Sequence, residues 1–338
     1  MSRADGTRGR ARGQRGAPEA PERGQPRWYA RAAASRGVRG SGWRSAWQHF
    51  YQSQRLRLAY WTWGDADAPP PLILLHGGRD HARNWDRIAE AFRDDYHVIA
   101  PDLRGHGDSE WAKGSTYTLS EHVIDLIALI DLVGGPVRVV SHSFGGAITL
   151  LAAGIFSEKF DRIVEIEGAG ARMEDTPRPT TPEQLRKWVM TMRSYEQQTP
   201  RVYSTFGEAV ARVSEANKSL SPEMADHFAR WASHGMDGGY VWKFDPWVRG
   251  RTPSELTREE LVEVWRAVVA PVMHMVGSKS HFSRAQFESK PLDEYFSDSH
   301  TVTVADAGHW LHHDQTATFV DLVRDFLGAP PPRKPHAD

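Results

Sequence analysis

Residues 137–146 read VRVVSHSFGG, and this stretch decides the fold. A strand predicted at Val137–Val140 runs through a turn of small residues into an apolar helix predicted at Phe144–Ile155. Such a sharp turn needs small residues two positions before and after its apex, because larger side chains would collide with neighbouring backbone. Ser143 is the apex, and Ser141 is interpreted as a spacer. The turn should therefore direct the hydroxyl of Ser143 outward at the carboxyl end of a sheet.

Strands and helices alternate on both sides of this turn. Pro71–Leu75 and Tyr96–Ala100 are unbroken apolar runs, which are typical of strands buried on both faces. Leu119–Val133 is apolar at helical spacing, and residues 134–136, Gly-Gly-Pro, end that helix. Further strands and a last helix are predicted at His49–Gln52, Leu56–Trp61, Arg162–Ile166, Val272–Val276, Thr301–Val304 and Gln315–Leu327. This alternation predicts an α/β fold with a mostly parallel sheet.

The alternation is interrupted once, which divides the chain into regions. Residues 170–251 are predicted to be helical, and their aromatic and methionine side chains are expected mainly to pack against the rest of the domain. The core is then formed by residues 43–169 and 252–328. The Arg/Gly/Pro-rich leader 1–42 and the tail 329–338 contain too little apolar surface to offset the entropy of ordering them, so both are predicted to be disordered.

The formal net charge of -1 hides an uneven distribution. Residues 1–44 contain eleven arginines and three acids, a balance of +8, and the rest of the chain carries -9. The acidic body argues against nucleic acid and against a polyanionic substrate steered by long-range charge. The chain has no cysteine, so thiolate chemistry and disulfides are excluded. It also lacks both a membrane-spanning run and a secretory signal, so we expect a cytoplasmic protein without a membrane partner.

His309 is the candidate base for Ser143. A serine hydroxyl is a poor nucleophile unless a base accepts its proton. The order of His309 after Ser143, and its position just beyond the last predicted strand, favour it for that role. His312 and His313 are expected on the following turn, capping it or facing solvent, and receive no role.

Two backbone amides are candidates for an oxyanion hole, which must present preorganised donors to the developing charge. One is the N–H of Phe144 at the start of its helix, and the other is the N–H of Gly78 in the loop after the strand at Pro71–Leu75. The glycines of that loop allow its backbone to approach a substrate closely.

The residues next to these motifs are candidates for the substrate pocket. Asp80, His81 and Trp85 are expected to line it or to brace the oxyanion loop, and Trp310 is expected beside His309. The stretch HGGRDH at 76–81 superficially suggests a metal site, but it lacks one histidine, and no other cluster completes four ligands. Neither a metal nor a cofactor is therefore expected.

Four motifs follow one another in the chain: LHGG (75–78), PDLRGHGDS (101–109), SHSFGG (141–146) and AGHW (307–310). In this order they resemble the lid-bearing branch of the α/β-hydrolases, which includes epoxide hydrolases, haloalkane dehalogenases and many esterases. The resemblance covers about residues 46–328. It implies an eight-stranded, mostly parallel sheet with helices on both faces, a helical lid after strand six, a triad in the order Ser, acid, His, and cofactor-free hydrolysis of a small molecule.

The triad acid departs from the usual pattern of that family. The position after strand seven that normally holds Asp is Ser280 here, and no acid follows before Glu288. A subset of the dehalogenases places the acid at the end of strand six instead, where this sequence has Glu167. We therefore predict Glu167 as the acid, with Asp306 and Asp80 as the alternatives.

These residues favour a carboxylic-ester hydrolase. Ser143 would attack the acyl carbonyl of an ester, lactone or thioester of a small, largely apolar substrate, assisted by His309 and Glu167. Epoxide hydrolases and dehalogenases are disfavoured, because they use aspartate where Ser143 stands. Carbon–carbon bond hydrolysis by the same triad stays open, because fold does not fix substrate. A non-catalytic ligand-binding homologue also stays open as an alternative, because Ser280 stands where the family usually has Asp.

Overall fold

A computed structural model describes residues 46–68, 70–114, 117–169, 181–196, 199–250, 256–281 and 292–328. The predicted leader 1–42, the predicted tail 329–338 and Glu288 lie outside these residues. The two predicted boundaries of the inserted segment, at 170 and 251, also lie outside them.

The sheet has eight strands and is mostly parallel, as predicted. The strands of the described chain are β1 (Trp47–Ser53), β2 (Leu56–Trp63), β3 (Leu72–Leu75), β4 (Val98–Pro101), β5 (Val137–His142), β6 (Phe160–Ile166), β7 (Ser233–Met236), β8 (Gly239–Trp242), β9 (Val272–Gly277) and β10 (Ser299–Val304). The main sheet has the order β1-β2-β4-β3-β5-β6-β9-β10. Strand β2 is antiparallel to β1 and β4, and all pairs from β4 to β10 are parallel. The carboxyl ends of these parallel strands therefore meet at one edge.

Helices pack on both faces of the sheet. Those of the described chain are α1 (Asp86–Phe92), α2 (Leu119–Val133), α3 (Phe144–Ile155), α4 (Thr181–Tyr195), α5 (Phe206–Ala216), α6 (Pro222–Ala232), α7 (Arg258–Arg266), α8 (Leu311–Asp314) and α9 (Thr316–Leu327). The bounds of α2 and α3 agree with the sequence prediction, whereas α1 was not predicted. None of the described helices has the length and apolar character needed to cross a membrane.

The central strands are apolar throughout because each one contributes side chains to two hydrophobic cores, one on each face of the sheet. In β3, Ile73 and Leu75 pack into a core with α2, α3 and α7. Leu72 and Leu74 point to the opposite face and pack with α1 and α9. Successive side chains of a strand face opposite sides of its sheet, so a strand covered on both sides shows no polar alternation.

The segment between β6 and β9, described over residues 181–196 and 199–250, is called the insertion below. It contains α4, α5 and α6, and it also contains the antiparallel hairpin β7–β8. The prediction of helices alone is therefore wrong at this hairpin. Its strands are short and only partly buried, so they lack the apolar run that marks a strand. The signal that was missed is the dipeptide Asp237-Gly238 between them, since Asp-Gly commonly forms two-residue hairpin turns.

A buried ion pair fastens the loop after β4 to α2. Nε and Nη2 of Arg104 donate to the two carboxylate oxygens of Asp125 at 2.6 and 2.7 Å. Both side chains are almost completely buried, with 1% and 5% exposure. Nη1 of Arg104 also lies 3.3 Å from Oε1 of the partly exposed Glu121. Removing Asp125 leaves the buried guanidinium without its bidentate counter-charge, and breaking a buried pair typically costs roughly 3–5 kcal/mol.

We predict that Asp125→Leu lowers the free energy of unfolding by about 3–5 kcal/mol, because Arg104 then stays buried without its bidentate partner. The matched double variant Arg104→Met/Asp125→Leu removes both charges and should recover most of the loss. Urea unfolding followed by circular dichroism measures both values. Equal stability of the single and double variants would contradict this account.

Candidate active site

Ser143 lies at a strained turn between β5 and α3. Its φ of 52° and ψ of -118° are unusual for a residue with a side chain. Its N–H donates to the carbonyl oxygen of Ile166 at 2.7 Å, which ties the turn to β6. Gly145 is required behind it, because a Cβ there would lie 2.6 Å from the carbonyl oxygen of His76. The fold thus presents a half-buried serine at the carboxyl edge of the sheet.

Glu167 ends the neighbouring strand β6 and also has a left-handed backbone, with φ 50°. Its Oε1 accepts the N–H of Gly277 at 2.8 Å. Its Oε2 accepts the hydroxyl of Ser280 at 2.6 Å and Nδ1 of His309 at 2.6 Å. Because a carboxylate can only accept hydrogen bonds, Nδ1 of His309 carries a proton and the other ring nitrogen faces away from Glu167.

Ser280 therefore has a definite place in this arrangement. The family resemblance leads one to expect an acid at position 280, and the structure brings that position beside the acid at the end of β6. The serine hydroxyl is a donor that fills one acceptor site of the Glu167 carboxylate. The two family positions for the acid are thus adjacent in space. Ser280, at the usual position, supports Glu167, at the other one.

Glu165 holds the turn that contains Glu167. Its carboxylate accepts the N–H groups of Gly168 and Ala169, the latter at 3.1 Å. Its other oxygen accepts Nδ1 of His274 at 2.9 Å, and both side chains are buried. Glu165 and His274 face each other across β6 and β9, so sheet register creates this support. The sequence analysis did not identify it.

His142 fills the space between the two loops that meet Ser143. Its Nε2 donates to the carbonyl oxygen of His309 at 2.9 Å, and the two ring centres are 4.6 Å apart. On the other side, a Cβ built on Gly77 would lie 3.0 Å from Nδ1 of His142. The position of the His309 loop is therefore set by a side chain directly before Ser143.

The loop after β3, which contains Gly77 and Gly78, comes close to the start of α3. A Cβ built on Gly77 would lie 3.2 Å from Cβ of Ser143, and one built on Gly78 would lie 3.8 Å from Cβ of Phe144. His76 secures this loop, because its Nδ1 bonds the carbonyl oxygen of Gly77 at 2.7 Å and its Nε2 accepts the N–H of Leu103 at 3.0 Å. The structure thus brings the two predicted amide-bearing residues together beside Ser143.

A family model described as Alpha/beta hydrolase family matches residues 72–322. The chain belongs to the alpha/beta hydrolase family. It is 26% identical over 286 residues to a 3-hydroxybutyrate-oligomer hydrolase of Cupriavidus necator, covering 78% of this chain and 89% of that protein. It is 25% identical over 273 residues to an sn-1-specific diacylglycerol lipase of Mus musculus, covering 78% and 83%.

A solved structure, the thioesterase domain from the curacin biosynthetic pathway, superposes with a TM-score of 0.70. It is 21% identical and the match covers 82% of this chain and 98% of that domain, so it shows the shared fold. The predicted α/β-hydrolase family, the α/β-hydrolase fold with its eight-stranded, mostly parallel sheet, and the enzymatic nature are confirmed.

The hydrolase places the four predicted pocket residues in different surroundings. Asp80 accepts the N–H of His81 at 2.8 Å and the side-chain amide of Asn84, so it braces its own loop. His81 is buried with its ring 6.3 Å from that of Phe228 in α6. Trp85 is fully buried in the core. Trp310 is partly exposed, with its ring 5.2 Å from that of His309.

The structure also shows the surroundings of the alternative acid Asp306 and of the two histidines that received no role. Asp306 pairs with Lys279 at 2.8 Å, and both side chains are largely exposed. His312 is fully buried between Trp85 and His142, with ring distances of 4.6 and 4.8 Å. The expectation that His312 caps the turn or faces solvent is therefore wrong, because α8 turns it inward behind His309. His313 also points inward, with its ring 4.8 Å from that of Phe228.

The insertion is attached to the core close to the site. The N–H of Asp245 donates to the carbonyl oxygen of Gly105 at 2.8 Å, and Lys243 pairs with Asp108 at 2.7 Å. Within the described parts of the chain, no group of three His, Cys, Asp or Glu side chains is arranged to hold a metal ion.

Burial keeps most histidines around this site neutral. It lowers the pKa of His76 and His122 to about 4 and that of His313 to about 3. Four more have a pKa well below the ordinary value for the same reason, namely His81, His106, His142 and His312. Burial has the opposite effect on four acids. It raises the pKa of Asp80 and of Asp102 to about 7, the latter with help from the charge of Asp108, and it also raises the pKa of Asp125 and Asp245.

We predict that acidification below pH 6.5 destabilises this hydrolase. Unfolding returns the seven histidines to an ordinary pKa near 6.5, so the unfolded chain binds more protons below that pH. Each of these histidines lowers the free energy of unfolding by up to about 1.4 kcal/mol for each pH unit of acidification. Asp80 and Asp102 act in the opposite sense between about pH 7 and 4, and so do Asp125 and Asp245, whose pKa burial also raises. These four acids offset only part of the effect of the seven histidines.

The test is the free energy of unfolding in urea at a series of pH values between 7 and 5. It should fall steeply below pH 6.5, and His312→Phe should make the slope shallower, because one fewer buried imidazole is then protonated on unfolding. A stability that is constant or rises toward pH 5 would contradict the prediction.

Proposed function

We propose that this hydrolase cleaves a carboxylic ester, lactone or thioester of a small, largely apolar substrate through an acyl-enzyme on Ser143. The observation that carries the proposal is the pair of Glu167 and His309, whose hydrogen bond of 2.6 Å lies at the same sheet edge as the strained turn of Ser143. Such an arrangement is what a serine nucleophile needs, since its hydroxyl must lose a proton to attack.

The proposed reaction has two halves. Oγ of Ser143 attacks the acyl carbonyl while its proton passes to Nε2 of His309, and the tetrahedral intermediate collapses as His309 returns that proton to the leaving oxygen or sulfur. Water then attacks the acyl-enzyme, with His309 again accepting the proton, and the acid and Ser143 are released. Glu167 holds the tautomer of His309 and stabilises the imidazolium that forms in both halves.

The amides of Gly78 and Phe144 are proposed as the oxyanion hole. They flank Ser143, and the close approach of Gly78 to Phe144 places the two backbones side by side. Donors fixed in this way cost no reorganisation when charge develops, and one of them is typically worth about 10²–10³ in rate.

The insertion is proposed as the lid over this site. Trp231 of α6 packs edge-on against Trp61 of the core at 5.3 Å, and Phe228 lies against His81 and His313. His227 of the same helix also reaches the core, with its Nε2 3.0 Å from Oδ2 of Asp86. The rings of Trp231 and Phe228 support a largely apolar substrate. The names of the relatives, an oligomer hydrolase, a lipase and a thioesterase domain, support the transfer of an acyl group to water.

We predict that a fluorophosphonate probe labels the wild-type protein and that Ser143→Ala abolishes labelling and the turnover of 4-nitrophenyl butyrate. Ser141→Ala is the matched control, because it removes a buried hydroxyl two residues away and should retain both. Labelling without ester turnover would favour a different scissile bond, such as carbon–carbon. Absence of both from the wild-type protein would favour a ligand-binding role.

We predict that Glu167→Gln lowers kcat by about 10³–10⁴, because an amide at this position leaves His309 in the wrong tautomer. Asp306→Asn is the control, since that acid pairs with Lys279 at the surface and should leave kcat unchanged. Thermal unfolding of both variants separates loss of chemistry from loss of fold. Near-normal turnover by a folded Glu167→Gln enzyme would remove Glu167 from the triad.

A further inference from the structure

Asp314 lies between the loop that carries His309 and the insertion. It is the last residue of α8, the short helix that follows this loop. Its Oδ2 accepts the N–H of Gly308 at 2.8 Å, and a Cβ built on Gly308 would lie 3.4 Å from the same oxygen. Its own N–H donates to the carbonyl oxygen of Trp310 at 3.0 Å. Asp314 therefore holds both the residue before His309 and the residue after it.

The other carboxylate oxygen of Asp314 faces the insertion. This Oδ1 accepts the hydroxyl of Ser219, which lies in the turn between α5 and α6. Asn217 orients the serine, because its side-chain oxygen accepts the N–H of Ser219 at 3.1 Å and lies 2.6 Å from the hydroxyl oxygen. A hydroxyl has one proton to donate, and a charged carboxylate is a stronger acceptor than an amide. One carboxylate thus joins the insertion to the residue next to His309.

A second contact joins the insertion to α8 at the neighbouring residue. The ring of Phe228 in α6 lies edge-on to that of His313, with the ring centres 4.8 Å apart. Ser219 itself is exposed, and a hydrogen bond at the surface contributes little when it must first order two mobile partners. Here the packing of α6 on α8 already brings the two segments together. The bond between Ser219 and Asp314 therefore has little ordering entropy to offset.

The loop of His309 needs the support that Asp314 gives. Glu167 fixes the imidazole ring through Nδ1 at 2.6 Å, and His142 fixes the carbonyl oxygen of His309 at 2.9 Å. The residue before His309 is Gly308, which has no side chain to restrain its backbone. Its N–H is held by Asp314 instead. A displacement of about 1 Å between reacting groups can cost about 10² in rate, so this restraint matters for a base.

We propose that Asp314 is a positioning residue through which the placement of His309 depends on the insertion being seated on the core. When Ser219 is bound to Oδ1, the carboxylate keeps the orientation in which Oδ2 holds Gly308, and His309 lies where Glu167 orients its ring. When the insertion moves away, Asp314 loses this restraint and His309 becomes a less well placed base. The inference rests on the proposed function, because it concerns the base of the same triad.

The first test is the turnover of 4-nitrophenyl butyrate by the full-length protein. Ser219→Ala should lower kcat about fivefold, the worth of one hydrogen bond, and Asp314→Ala should lower it about 10²-fold. KM should change little, because His309 acts in both halves of the reaction and neither variant residue is proposed to contact the substrate. Asp314→Asn should keep most of the activity, since its amide oxygen still accepts from Gly308 and its NH2 group donates to Ser219.

The double variant Ser219→Ala/Asp314→Ala separates one shared role from two independent ones. If Ser219 acts through Asp314, its loss has no further effect on kcat once residue 314 is changed to alanine. Ser194→Ala is the matched control, because that exposed hydroxyl donates to the carbonyl oxygen of Thr191 within α4 at 2.7 Å and should leave kcat at the wild-type value.

Thermal unfolding shows whether each variant is folded. A folded Ser219→Ala enzyme with the wild-type kcat, or losses that multiply in the double variant, would overturn the proposal while wild-type turnover upheld the proposed function.

A second measurement does not require turnover. The proton on Nδ1 of His309, in its short hydrogen bond to Glu167, should give a low-field proton NMR signal, which His309→Gln removes and thereby assigns. Ser219→Ala and Asp314→Ala should shift this signal or speed its exchange with water, and Ser194→Ala should leave it unchanged. A signal in Ser219→Ala identical to that of the wild-type protein would overturn the proposal. Failure of the proposed function is seen separately, as a wild-type protein that neither reacts with the fluorophosphonate nor hydrolyses the ester.

Discussion

The hydrogen bond of 2.6 Å between Oε2 of Glu167 and Nδ1 of His309 is the constraint around which the site is built. It joins the end of β6 to the loop after β10, which lie in parts of the chain 142 residues apart. A glutamate is longer than an aspartate, so its carboxylate must be held from several sides before it can fix an imidazole. The N–H of Gly277 and the hydroxyl of Ser280 provide this support. Gly277 ends β9, the strand between β6 and β10, and Ser280 follows in the turn after that strand.

The turns of Ser143 and Glu167 depend on each other because they lie at the ends of adjacent strands. Both have a positive φ, which is costly for residues with a side chain and persists only where the surroundings impose it. A Cβ on Gly168 would lie 2.3 Å from the carbonyl oxygen of Ser143, and one on Gly146 would lie 3.1 Å from Cα of Gly168. Two glycines therefore let the turns pack against each other, and one strained turn holds the other.

Local signals made much of this hydrolase predictable from its sequence. The apolar spacing of Leu119–Val133 predicted helix α2, and the glycines after it predicted its end, while the capping box at Thr118 that marks its start was not used. Ser143, Glu167 and His309 were predicted to lie together because the first two end parallel strands at the same edge of the sheet, and because the family resemblance implies the order serine, acid, histidine. The short helix α1 and the hairpin β7–β8 were missed, since seven-residue and four-residue elements carry little periodicity.

The support around the site could not be predicted because it depends on register and on side chains that meet only in space. Glu165 reaches His274 because β6 and β9 align these two residues. His142 reaches the carbonyl oxygen of His309 across 167 positions of sequence. His312 looked like a surface residue of a polar turn, but α8 packs it between Trp85 and His142. No local pattern contains that information.

The neutral histidines give the site its electrostatic character. Burial lowers the pKa of His142 and His312, so the groups packed nearest to His309 carry no positive charge at neutral pH. Charges interact more strongly in such surroundings than in water, since little solvent screens them. In the proposed reaction, the imidazolium of His309 is therefore stabilised mainly by Glu167, without a cationic charge on His142 or His312. The fold thus surrounds His309 with neutral buried histidines, and Glu167 is the charged group that contacts its ring.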